Sequence, residues 1–153
     1  MRTLDQWMNE YGVSHKNPTN QSIHKVCVPL IMLSVIGLFW VIPTPAFFQA
    51  IPFLNWATIF VAACLIFYLT LSIMMFLGML ILTAIMCLVC QQLQNAGILL
   101  LISSGIFILS WIAQFYGHQV EGKKPSFLQD LVFLLIGPLW VLRFFYFKMG
   151  IRV

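Results

Sequence analysis

The chain opens on a polar segment of mixed charge and turns apolar directly after Lys25, staying so in long runs almost to its end. A helix needs about 20 predominantly apolar residues to cross the hydrocarbon of a bilayer. Residues 26–42 are the first such run, closed by Pro43-Thr44-Pro45. A short amphipathic stretch follows at 46–55, where Pro52 and Trp56 mark a lipid–water boundary. From Trp56 to Cys90 no residue is charged, which is too long a stretch for one span at 1.5 Å per residue. It predicts two short helices, about 56–71 and 73–90, joined by a tight turn near 69–72. The run QQLQNAG at 91–97 predicts a loop and 98–117 a fourth span. A second polar segment, 118–126, then leads to a fifth apolar stretch, 127–147, interrupted by Asp130, Gly137-Pro138 and Arg143. The pattern is that of an all-α integral membrane protein with four transmembrane helices plus a fifth re-entrant or hairpin segment. It forms one membrane domain, 1–153, whose first 25 residues are a polar cap.

Four spans separate His24 from His118, and an even number returns the chain to the side it left. All three histidines, His15, His24 and His118, are therefore expected on one membrane face. Arg2, Lys16, Lys25, Lys123 and Lys124 share that face, while the loops assigned to the opposite one, 43–55 and about 70–72, carry no Lys or Arg. The positive-inside tendency then makes the histidine face cytoplasmic. Arg143, Lys148 and Arg152 join it if 127–147 dips into the bilayer and returns at Gly137-Pro138. Ionisable groups avoid the bilayer midplane, and Asp130 and Arg143 at the two ends favour that hairpin.

Composition agrees with the pattern. Of 153 residues, 61% are hydrophobic and 8% charged, with a mean hydropathy of +0.97, whereas soluble domains carry roughly 25% charged residues. Eight Lys and Arg scattered over three short segments form no basic stripe, which excludes a nucleic-acid partner. The polar start lacks the basic-then-apolar order of a cleavable signal peptide, so the first span is expected to be its own anchor. Cys87 and Cys90 make a CxxC inside an apolar run, without the water that thiolate chemistry needs. They read as small apolar residues.

Two polar clusters carry candidate chemistry. In the first, Pro18 biases Asn17 to an extended backbone, leaving Thr19 or Asn20 to cap the first long helix. His24 then lies in that helix's first turns and His15 in the loop before it, so two imidazoles from different elements can converge on one ion. In the second, His118 and Glu121 are three apart and share a helical face. Neutral imidazole suits Zn, Cu, Fe or Ni. Ligating histidines also need hydrogen-bond partners behind them, for which Asn17, Asn20, Glu121 and Asp130 are candidates. The same residue types are ordinary at membrane interfaces, and Lys123-Lys124 serve most simply as anchors to anionic head groups. The Met and Phe residues of the spans are packing that also suits an acyl-chain groove.

Tyr11, His15, Asn17-Pro18, Asn20, His24 and Pro29 stand in the first segment. Trp111, Gln114-Phe115, Gly117-His118, Glu121, Lys123-Lys124-Pro125 and Asp130 stand in the second. In this order and spacing they resemble the membrane 2-hydroxy fatty acid dioxygenases of fatty-acid α-oxidation, across nearly the whole chain. The resemblance implies an Fe(2+)-dependent enzyme that uses O2 to shorten a long-chain 2-hydroxy fatty acid by one carbon, with the histidines essential. It implies iron held by His15, His24, His118 and Glu121, with Asn17, Asn20 and Asp130 behind them. Lys25, Lys123 and Lys124 are then placed to meet the substrate carboxylate. Two features depart from the eukaryotic pattern: Glu121 follows His118 by three positions rather than four, and the loop QQLQNAG lacks a histidine. The site is then three-histidine or completed by a carboxylate or water. The short polar tail suggests a bacterial relative in the cytoplasmic membrane. Two other readings compete: a zinc or iron lipid hydrolase or hydroxylase, and a non-catalytic helical membrane protein that binds lipid or a partner. A haem protein is disfavoured, since no histidine lies within an apolar span.

Overall fold

The computed structural model describes residues 2–125 and 131–151. Asp130, Arg152 and the start of the 127–147 segment lie outside them. The described residues hold six α-helices, one short 3-10 helix (Ala46–Ala50) and no strand.

The first helix, α1 (Leu4–Gly12), occupies part of the segment expected to be a polar cap alone. A reciprocal capping box starts it: Thr3 Oγ1 accepts from the Gln6 amide and Gln6 Oε1 from the Thr3 amide. Its apolar side, Trp7, Met8 and Tyr11, is buried. The next helix, α2 (Pro18–Trp40), is capped by Asn17 and not by Thr19 or Asn20. Asn17 is extended, at φ −71° and ψ 128°, as the following proline requires. Its side chain accepts from the Thr19 amide at 2.9 Å. Pro18 thus sits at the first helical position, where an N–H would have no partner anyway.

Helices α3 (Trp56–Leu71) and α4 (Ile73–Asn95) meet at Ser72, where the sequence predicts the turn. The residues Gln91–Asn95, expected in a loop, are the last turn of α4. Gln91 Nε2 donates to Asn95 Oδ1 one turn on, and the helix gives way where Gly97 takes φ 72°. Helix α5 (Leu99–Glu121) continues past the expected end of its span and carries His118 and Glu121 in its last turn. Helices α2, α4 and α5, at 23 residues each, are long and apolar enough to cross a membrane. The 16-residue α3 is a shorter apolar helix, about 24 Å at 1.5 Å per residue.

Helix α2 is central, packing against α3, α4, α5 and α6 (Phe133–Lys148). Its contact with α5 is the most extensive, and small residues bring the two together. A Cβ at Gly37 would meet Ser103 Oγ, and one at Gly117 would lie 2.5 Å from Asn20 Oδ1. Two apolar clusters mark the ends of the bundle. One gathers Trp7, Met8, Tyr11, Tyr68, Met75 and Phe133; the other gathers Ile36, Ala57, Val61, Met86, Cys90 and Leu99. The Ser72 turn therefore belongs to the end that holds α1 and the histidines, not to the opposite face. The far-end links are 41–55 and 96–98. Both lack Lys and Arg, so the charge asymmetry persists with a different pair of loops.

The expected hairpin at Gly137-Pro138 is replaced by one continuous helix. Helix α6 runs through both residues and touches the histidine end along its length. Tyr68 Oη donates to the Leu135 carbonyl, Arg143 pairs with Asp5 of α1 at 2.9 Å, and Tyr146 Oη donates to Met74 O in the first turn of α4. Lys25 Nζ lies 3.7 Å from the Phe144 ring centroid. The basic residues of α6 thus stay with the others, as expected, because the helix lies across the bundle end rather than turning back within it. Burial of Gly137, Pro138 and Leu139 outweighs the single helical hydrogen bond that Pro138 forgoes.

Candidate metal centre

The α1–α2 loop delivers His15, the second turn of α2 delivers His24 and the last turn of α5 delivers His118. All three are buried, at 2%, 2% and 6% exposure. Their ring centroids are 4.3 Å (His15–His24), 5.2 Å (His15–His118) and 4.9 Å (His24–His118) apart. One nitrogen from each falls within 4.8 Å of the others. The dispersed histidines of the sequence form one cluster.

The backbone fixes which nitrogens face inward. His15 Nδ1 lies 2.6 Å from Tyr11 O and His24 Nδ1 lies 3.0 Å from Asn20 O. A carbonyl only accepts, so the proton sits on Nδ1 and each Nε2 keeps its lone pair. This is the arrangement in which a ligating histidine is held by an acceptor behind it. His15 Nε2 and His118 Nδ1 are buried with no hydrogen-bond partner among the described residues. Two orphaned nitrogens beside a third imidazole fit a divalent transition metal, for which neutral imidazole is a preferred donor. Tyr11 stacks on His15 with centroids 4.0 Å apart and planes 12° from parallel, and Trp140 lies 5.6 Å away. Burial pushes the His15 pKa down to about 4; the Tyr11 carbonyl bond and Glu121 oppose this, and His118 adds to it. The ring is therefore neutral at physiological pH, the form that binds metal. Burial also pushes the Tyr11 phenol up.

Glu121 is not brought into the cluster. Its Oε1 accepts from the Lys16 amide at 2.9 Å, and its Oε2 accepts from the Asn17 amide at 2.8 Å and Asn20 Nδ2 at 3.2 Å. The carboxylate latches the loop that bears His15 onto the end of α5. Asn20 completes the latch by donating to Ser14 O, while its own carbonyl holds His24.

The cluster heads a cavity of about 340 Å³, within the roughly 300–1,000 Å³ of small-molecule sites. It runs down the bundle from His24 to Ile36 on α2 and from His118 to Phe107 on α5. The second path is about 16 Å at 1.5 Å per residue. Apart from the histidines the walls are mostly apolar, with Val28, Met32, Val61, Met79 and Trp111 among them.

The sequence signature described as "2-hydroxy-palmitic acid dioxygenase Mpo1-like" matches residues 1–149. The chain belongs to the 2-hydroxy-palmitic acid dioxygenase Mpo1-like family. No curated protein and no solved structure matches it.

Within this family member, the other described residues singled out from sequence lie outside the cluster. Asn17 is the α2 cap, and Asp130 is outside the described residues. Lys25 covers Phe144, Lys123 Nζ donates to Val13 O at 2.9 Å, and Lys124 is exposed; none of the three lines the cavity. Sequence reasoning assigned no role to Tyr11 or Trp140. Tyr11 is four residues before His15, a helical spacing that pointed to it. Trp140 reaches the site only through the long-range packing of α6, and no local pattern signals that.

Proposed function

We propose that this protein is an iron(II)-dependent dioxygenase that shortens long-chain 2-hydroxy fatty acids by one carbon, consuming O2 at the membrane surface. The observation that carries this reading is a group of three buried imidazoles at the head of an elongated apolar cavity. Family membership points to the reaction class. His15, His24 and His118 hold the iron. When bound, iron supplies the Lewis acidity and the chemistry with O2 that side chains lack. The carbonyls of Tyr11 and Asn20 fix the imidazole tautomers, and the Glu121 latch keeps the His15 loop closed.

Burial at the cluster excludes water, and the apolar walls receive the acyl chain. A depth of about 16 Å is close to one leaflet of a bilayer whose hydrocarbon is about 30 Å thick, so the cavity matches the reach of a membrane-lipid tail. Helices α2, α3, α4 and α5 form the four spans. The described Lys and Arg lie toward the histidine end, and the far-end links carry none; this favours a cytoplasmic setting for that end, and a bacterial cytoplasmic membrane suits the chain.

The test is to load the purified protein with iron without oxygen, then supply 2-hydroxypalmitate and O2. Oxygen uptake with formation of pentadecanoate is expected. The His24→Ala/His118→Ala double variant should lose both the iron and the product. Product formation by that variant at the wild-type rate would refute the reading.

A further inference from the structure

Most polar groups along the cavity are already engaged by protein. Tyr68 Oη donates to Leu135 O, Thr83 Oγ1 donates to Met79 O, and two of the histidines are held by backbone carbonyls. Gln114 is different. It is 5% exposed, it lines the cavity, and its carboxamide makes no hydrogen bond among the described residues. Buried polar groups are almost always paired, and a carboxamide offers two donors and an acceptor. In apolar surroundings such a group is costly without a partner, which points to a polar ligand beside it.

Its place on α5 says which part of the ligand. His118, Gln114, Trp111 and Phe107 all line the cavity, and Gln114 is one helical turn, about 6 Å, inward of His118. A chain with its carboxylate at the histidines and its tail at Phe107 passes its first carbons beside Gln114. A hydroxyl both donates and accepts, as a carboxamide does, whereas a methylene does neither. Resting on the fatty-acid reading of the cavity, we infer that Gln114 hydrogen-bonds the 2-hydroxyl group and selects 2-hydroxy acids over unsubstituted fatty acids.

Binding of 2-hydroxypalmitate and of palmitate to iron-free protein in detergent, measured by calorimetry, tests this. Wild type should prefer the hydroxy acid about fivefold, the worth of one hydrogen bond of roughly 1 kcal/mol. Gln114→Leu should keep its affinity for palmitate and bind both acids alike. Gln114→Met, which matches the glutamine in length, repeats the measurement if the leucine variant fails to fold. A preference that survives in a variant still binding palmitate, or no preference in wild type, overturns the role of Gln114 and leaves the cavity reading intact. Failure of wild type to bind either acid overturns the fatty-acid reading, and this inference with it.

Discussion

At the histidine end of the bundle, Ser14, His15, Asn20, His24, Gln114 and His118 are all buried; His15 and His24 are held by backbone carbonyls, and Asn20 donates to Ser14 O and to Glu121 Oε2 on α5. At the far end, Ile36, Ala57, Val61, Met86, Cys90 and Leu99 pack together, and the buried polar side chains beside them are the small hydroxyls Ser34, which donates to its own helix, and Ser103. The far end relies on shape and volume, which many apolar residues satisfy. The histidine end relies on specific donors meeting specific acceptors, and a buried polar group left unmatched is penalised in full. Small chemical changes should therefore matter at one end and volume changes at the other.

Acid should produce the sharpest contrast. In iron-free protein, His15 stays neutral down to about pH 4 although its ordinary value is 6.5. Between these values the unfolded chain binds a proton that the folded one refuses, so stability falls as pH drops from about 6.5 to about 4. Unfolding followed against pH should show that loss, and His15→Phe should lessen it. Next in size is Glu121→Ala, which removes the acceptor of three N–H groups. It should cost about 2 kcal/mol and weaken iron binding about tenfold, measured by denaturation and metal titration. At the apolar end, Val61→Phe should overpack the cavity floor for about 1 kcal/mol while leaving iron content unchanged. Product analysis should show its preferred substrate moving to shorter chains. Asn17→Ala removes only the α2 cap and should cost about 1 kcal/mol, visible as a small shift in the denaturation midpoint.

Much of this was legible in the sequence, for identifiable reasons. The break at Ser72 followed from the length of an uncharged run. The placement of His15 in a loop and His24 in the first turns of a helix followed from the constraint of Pro18 on Asn17. The gathering of three histidines followed from counting spans. What was missed depended on context. Gln91–Asn95 looked like a loop because it is polar, yet Gln is a good helix former. Helix α1 had a local signal, the Thr3-x-x-Gln6 box before Trp7 and Tyr11, but its packing partners lie more than a hundred residues away. Gly137-Pro138 resembled a hairpin because local rules cannot see the surface of α1, α2 and α4 that buries it. Glu121 shares a face with His118 as its spacing required, but its partners are amides of a distant loop, so spacing alone could not separate a latch from a ligand.

The three clustered histidines are drawn from distant parts of the chain, and this bears on biogenesis. His15 and His24 emerge early in synthesis, whereas His118 arrives only after the intervening helices have been threaded through the bilayer. A molecule in which α5 inserted the wrong way round would strand His118 across the membrane from its companions. On the proposed reading, retained iron therefore reports that α5 has inserted correctly.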